Sequence, residues 1–204
     1  MKTNRQKGFT LVEVSMVGLF IVILGVGITG IQYILGKGQL TLINNSISVE
    51  ETSRIANELV KELRTARQGD NGAFTIETAE NNKITFYSDI DKDGKAEKVT
   101  YELNGNTFTK TTIKPSGNPP IYNPNDAKSI NLSDNVRNHD MPAFFYYNQN
   151  WPEDTEENPM PTPADLDKIK LVQIYIRVNP KENSPDTDYV ISSQAQIRTL
   201  TTIR

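Results

Sequence analysis

The chain has 204 residues, 36% of them hydrophobic, and its 22 lysines and arginines against 25 aspartates and glutamates leave a net charge of −3. That length holds one ordinary domain plus an appendage, and an acidic balance gives no general electrostatic reason to bind nucleic acid, whose phosphates need a basic face. With no cysteine in the chain, disulfides and thiolate metal sites are excluded, so any outer domain is held by packing alone or by a metal.

Residues 1–8, MKTNRQKG, are basic and free of acid. Phe9 opens an apolar stretch broken by a single charge, Glu13, and from Val14 to Gly36 no charged residue occurs. A bilayer core takes roughly 20 apolar residues, so residues 9–36 are long enough to cross one. Three positive charges before the stretch, Lys2, Arg5 and Lys7, against the single Lys37 just after it predict a single-pass membrane protein with a cytoplasmic N-terminus and the bulk of the chain outside. A secretory leader is cut after its apolar core, at an Ala-x-Ala-like site. No such site follows Leu35; the small residue, Gly8, comes before the apolar run instead.

Glu13 is the most informative residue of this segment. A carboxylate inside a membrane span is costly and normally has a partner, yet no basic residue lies between Lys7 and Lys37. A cut between Gly8 and Phe9 would create an α-amino group, with a pKa of about 8. That amine belongs either to the same chain or to a neighbouring subunit, and only the second arrangement builds an ordered polymer.

The string Lys7-Gly8-Phe9-Thr10-Leu11-Val12-Glu13-Val14 resembles the N-terminal signal of type IV pilin-like proteins: pilins, minor pilins and type II secretion pseudopilins. The resemblance implies cleavage after Gly8 by a prepilin peptidase, N-methylation of Phe9, and pairing of Glu13 with the N-terminus of an adjacent subunit. It also implies the partners: other pilin or pseudopilin subunits, an inner-membrane platform protein and an assembly ATPase. A weaker similarity, to the larger minor pseudopilins and minor pilins, lies in Asp134-Asn135-Val136-Arg137-Asn138 and the aromatic run after it. The absence of cysteine departs from the adhesive pilins that close a C-terminal loop with a disulfide, which argues against a major-pilin role.

Past the apolar segment, Leu40, Ile43, Ile47, Ile55, Leu59, Leu63 and Ala66 recur at helical spacing with charges between them, predicting an amphipathic helical half over 37–68. Glu50 and Arg54 stand four apart with the acid first, the favourable order, and Gly69-Asp70-Asn71-Gly72 supplies the stop. Gly18, Gly25, Gly27, Gly30, Gly36 and Gly38 punctuate the helix. Between membrane helices such residues permit close approach. Two readings stand for Gly25–Gly30: local unwinding in an assembled filament, where pilin-like proteins often carry a proline, or simple tolerance of glycine in lipid.

The outer region, 73–204, changes to short strands. Residues 83–88, 97–103 and 107–113 alternate and are rich in β-branched and aromatic side chains, with Asn104-Gly105 as a hairpin signal. Residues 169–178, with Val172, Ile174, Ile176 and Val178 on one face, and 189–199, with Tyr189, Ile191, Ala195 and Ile197 on one face, add two more. The expected fold is α+β, a long N-terminal helix packed on an antiparallel sheet of four to five strands. Nine of the 11 prolines fall at 115–165, predicting a long irregular excursion. Within it, Phe144-Phe145-Tyr146-Tyr147 and Trp151 read either as a buried strand or as an exposed contact patch.

One acidic turn carries metal-binding chemistry. Asp89, Asp91 and Asp93 alternate before Gly94, with Glu97 three residues on. Alternate carboxylates followed by a glycine that allows a sharp turn can converge on calcium, and Glu97 falls where a further ligand often binds through water. Threonine at position 100 cannot supply the bidentate carboxylate of an EF-hand, and a solvated hairpin turn is the competing reading. The single histidine, His139, beside Asp140, offers no zinc pair and no obvious general base. No cofactor is required on this reading, and no enzymatic activity is expected. The expected role is a minor structural subunit of a type IV pilus-like filament or type II secretion pseudopilus. The alternative is a tip-located module binding a surface or DNA through the aromatic loop.

Overall fold

The computed structural model describes residues 8–179 and 188–197, without the side chains of 37–49 and 51. Lys2, Arg5 and Lys7, the side chains of Leu40, Ile43 and Ile47, and residues 198–199 of the last expected strand therefore lie outside the described residues. The fold is α+β. A 54-residue helix, α1 (Leu11–Arg64), precedes eight strands: β1 (Ile76–Ala79), β2 (Lys83–Ser88), β3 (Glu97–Asn104), β4 (Thr107–Ile113), β5 (Lys128–Ser133), β6 (Phe144–Tyr147), β7 (Leu171–Val178) and β8 (Tyr189–Gln196). The chain divides into two compact units, residues 1–44 and 45–204.

α1 ends at Arg64, short of the 68 that the spacing predicts, and the Thr65 hydroxyl donates back to the carbonyls of Lys61 and Glu62, both at 3.1 Å. Two residues on, the Arg67 N–H donates to the Tyr87 carbonyl at 2.9 Å, so the sheet takes over the backbone before the glycines are reached. Ile55, Leu59, Leu63 and Ala66 are all buried, as their spacing requires of a core-facing stripe. The acid–base pair on this surface is Arg54–Glu58, at 3.8 Å.

The first sheet runs β1-β2-β3-β4-β5, every neighbour antiparallel. β3 shows why: Glu97, Val99, Tyr101 and Leu103 are buried while Lys98, Thr100 and Glu102 are half-buried, the period-2 pattern of a strand with one face on the core. The β3–β4 turn pairs Asn104 with Thr107, so its central residues are Gly105 and Asn106, one position later than the Asn-Gly signal suggests. Gly105 carries φ +59°, a value that a side chain would disfavour at this position.

Residues 115–165 are not wholly irregular. They contain β5, which pairs with the edge of β4, and β6, which starts a second sheet of order β6-β7-β8. The two late strands of the sequence therefore join a separate three-stranded sheet rather than extending the first. Val172, Ile174, Ile176 and Val178 share a buried face of β7. On β8 burial deepens along one face, from exposed Tyr189 through half-buried Ile191 to buried Ala195, with Ile197 just beyond.

One apolar cluster joins the α1 stripe to both sheets. Stacked or tilted rings run from Phe86 to Tyr101 (6.2 Å between centroids), Tyr101 to Phe108 (5.9 Å) and Phe108 to Phe144 (6.3 Å), carrying the core from β2 to β6. Each such pair contributes about 0.5–1.5 kcal/mol beyond the area it buries. Hydrogen bonds fasten the sheets where the rings meet: the Phe144 N–H donates to the Asn81 carbonyl at 3.0 Å, and the Tyr146 hydroxyl donates to the Glu80 carbonyl at 2.8 Å.

Candidate functional site

Two features carry functional chemistry, and each lies within one unit. The first is the start of α1. Residues Leu11–Gly36 of α1 are a 26-residue stretch, containing a run of mean hydropathy 2.5 and no buried position, long and apolar enough to cross a membrane. Its apolar side chains are exposed on all sides, from Leu11 at 83% to Leu35 at 61%; a soluble surface helix would instead keep one polar face. Two of its polar side chains bond inside the helix: the Ser15 hydroxyl donates to the Leu11 carbonyl at 2.9 Å and that of Thr29 to the Gly25 carbonyl at 2.8 Å. The helix runs unbroken through Gly25, Gly27 and Gly30, each with open space where a Cβ would stand.

Glu13 has a local role that its spacing announces. Thr10 precedes the first helical residue, and the Glu13 carboxylate reaches back to it: Oε2 accepts from the Thr10 N–H at 2.9 Å and from the Thr10 hydroxyl at 3.0 Å. In return the Glu13 N–H donates to Thr10 Oγ1 at 3.3 Å. This is a capping box, in which two orphan donors of a helix start are satisfied reciprocally. Both bonds to the carboxylate land on Oε2, so Oε1 takes neither. Gly8 and Phe9 sit just ahead of the cap, and Phe9 is 87% exposed.

The second feature is the turn between β2 and β3. Asp89 Oδ2 accepts the Gly94 N–H at 3.1 Å, Asp91 Oδ1 the Asp93 N–H at 3.2 Å, and Asp93 Oδ1 the Lys95 N–H at 2.8 Å. The turn passes through positive φ at Lys92 (63°) and Gly94 (89°). Asp89, Asp91 and Glu97 each bring one carboxylate oxygen within 4.8 Å of the others. The fourth expected ligand, Asp93, stands outside this triad: its Oδ1 accepts the Lys95 N–H, and its Oδ2 lies 3.8 Å from Lys114 Nζ. Lys114, just past β4, also pairs with Asp91 and holds the Asp91 carboxyl below its usual range.

Glu97 is fully buried. Its Oε2 accepts the Ile90 N–H at 3.0 Å, while its Oε1, like Asp89 Oδ1, is shut off from solvent with no hydrogen-bond partner. Burial, reinforced by the charges on Asp91 and Asp93, pushes the Glu97 carboxyl above the usual carboxylate range despite the Ile90 bond.

Residues that the sequence reading passed over hold this turn in shape. Arg67 donates to Asp70 Oδ1 at 3.0 Å and to the Gly94 carbonyl at 2.8 Å. Asp70 Oδ2 accepts the Ala96 N–H at 3.0 Å, and the Tyr122 hydroxyl donates to the Ala96 carbonyl at 2.7 Å. The segment that follows α1, from Arg67 to Asp70, is thus part of the clamp on the acidic turn. Its only sequence signal is one charged residue on each side of Gly69.

The aromatic run resolves to the buried strand. Phe144 and Tyr146 are fully buried and Tyr147 nearly so, with Tyr147 and Trp151 rings 4.7 Å apart. These side chains therefore do not form the exposed patch of the alternative reading. His139 is exposed in the loop before β6, at φ 53°. Compared with known proteins, the chain matches no family model and no curated sequence.

Proposed function

We propose that this chain is a structural subunit of a type IV pilus-like filament or a type II secretion pseudopilus. It waits as a single-pass protein of the cytoplasmic membrane, N-terminus inside, and is cut after Gly8, methylated on Phe9 and assembled through α1 with other pilin-like subunits. The prepilin peptidase, platform protein and assembly ATPase are its processing and assembly partners. The role is mechanical rather than catalytic.

The observation that supports this reading most is the placing of one acid, Glu13, on a helix that is otherwise apolar on every side from Leu11 to Gly36. A plain membrane anchor has no need of a carboxylate there. Capping accounts for one of its oxygens and leaves Oε1 for a second partner. The α-amino group of a neighbouring processed chain is a cation of suitable size. Mass spectrometry of the N-terminus, on protein isolated from membranes of a cell with its own prepilin peptidase, tests the proposal. A mature chain starting at methylated Phe9 supports it; a chain still carrying the basic octapeptide refutes it.

A further inference from the structure

We propose that the turn between β2 and β3 is a calcium site built on Asp89, Asp91 and Glu97. Two oxygens bound to one calcium at about 2.4 Å can be at most about 4.8 Å apart. The three carboxylates meet that limit, each to each, before any ion is considered. Convergence alone describes many solvated acidic turns, and a second observation separates this one from them.

Glu97 is fully buried and its Oε1 has no donor, and Asp89 Oδ1, also shut off from solvent, has none either. A buried charged oxygen without a partner carries the full cost of its lost hydration. A hard divalent cation that takes oxygen ligands, held by these two carboxylates, would supply the partner they lack. The other oxygens of these two residues are already fixed, by the Gly94 and Ile90 N–H groups, so the unmatched oxygens are held rather than free to turn to water.

The site is pre-formed. Arg67 grips the Gly94 carbonyl, and Asp70 and Tyr122 grip both backbone groups of Ala96, so the turn is tied to the segment that follows α1. Lys114 is the competing cation, paired with Asp91 but with its side chain 58% exposed. Its long flexible stem lets it leave as the ion enters. Three carboxylates with open positions for water place the affinity in the weak range, a dissociation constant of about 0.1–1 mM. Such a site fills where calcium is millimolar. The proposal does not depend on the filament reading, since every residue it uses lies within 67–122.

The test is thermal unfolding of the full chain in detergent micelles, in a chelator and then in 5 mM calcium chloride or 5 mM magnesium chloride, roughly tenfold above the expected dissociation constant. Calcium is expected to raise the melting temperature by a few degrees, and magnesium, which demands a tighter octahedral shell, to do less. Glu97→Gln keeps the Ile90 bond and is expected to lose the calcium shift while melting higher than the parent in chelator. Should that variant fold poorly, the exposed Asp91→Asn carries the same expectation for the shift. No calcium shift in the parent, an equal shift with magnesium, or an undiminished shift in the folded variants overturns the site.

Discussion

Lys110 Nζ lies 2.5 Å from Glu62 Oε1, the lysine reaching from β4 across the core to the last turns of α1. Both side chains are nearly buried, at 6% and 11% exposure. Glu58 accepts from the same ammonium at 2.8 Å, the Tyr101 hydroxyl donates to Glu62 Oε2 at 2.8 Å, and the ammonium sits 5.5 Å from the Tyr101 ring centroid. Burial pushes the Glu62 carboxyl up even against its bonds to Lys110 and Tyr101. Burial would lower the Lys110 ammonium, but its bonds to the two glutamates outweigh that and raise it. The pair thus fixes how α1 lies on the sheet, and its two charges depend on each other.

Lys110→Met strands a buried carboxylate and is expected to cost about 3 kcal/mol at neutral pH. The sign of its pH dependence follows from Glu62. With its carboxyl raised in the fold and near 4.3 when unfolded, the folded variant holds the extra proton across the window between. Stability is therefore fullest below that window and is lost as pH rises through it. Melting curves at pH 5 and pH 7.5 should show the deficit shrinking at the lower value, and equal deficits would refute this account of the pair.

Glu13→Gln separates capping from charge pairing. Glutamine also completes a capping box, so the variant keeps the helix start while removing the charge. On the filament reading it should reach the membrane at parental level, yet its incorporation into sheared filaments should fall at least tenfold. Thr10→Ala does the reverse, removing the cap at a cost of about 1 kcal/mol while keeping the charge, and should assemble far better. Equal incorporation of Glu13→Gln and the parent would reduce Glu13 to a cap.

Gly69→Ala tests the corner between α1 and β1. A Cβ there would stand 2.9 Å from Asn71 Oδ1 and 3.0 Å from Tyr87 Cδ1. Asn71 can swing aside, but Tyr87 is buried, bonded to Glu77 and packed 5.0 Å from the Tyr122 ring. A loss of about 1–3 kcal/mol is expected, read by chemical denaturation; an unchanged midpoint would show that the ring has room to move.

Lys114→Ala bears on the acidic turn. Removing the ammonium that neutralises Asp91 should tighten calcium binding several-fold, measured by calorimetry on the full chain. Weaker binding would mean that the lysine shapes the site instead of competing for it.

Legibility in the sequence followed how each element is held. β3 and β7 are half-buried, and their alternating side chains announced both the strand and its inner face. β5 was not legible: four of its six side chains are exposed, Ile130 at 53% among them, so backbone pairing to β4 holds it and leaves no pattern. Lys110 was hidden by type, since a lysine on a strand reads as outward, although it shares the inward parity of Phe108. The α1 residues that receive it, Glu58 and Glu62, are spaced four apart, and that match was the available clue. The acidic turn was readable as a set of candidate ligands. Which three converge, Asp89, Asp91 and Glu97, follows from loop geometry rather than residue order. Thr10-x-x-Glu13 was readable as a cap from the outset, a signal overshadowed by the rarity of an acid in an apolar run.

The inward-folded hydroxyls of Ser15 and Thr29 have a consequence for transfer between surroundings. Because each has already spent its donor on a carbonyl one turn back, on the filament reading sliding this rod from acyl chains into a sheath of aliphatic side chains would break no hydrogen bond at either hydroxyl. At these two positions one apolar host would be as good as another, which leaves the charge of Glu13 as the apolar stretch's one electrostatic demand on its surroundings.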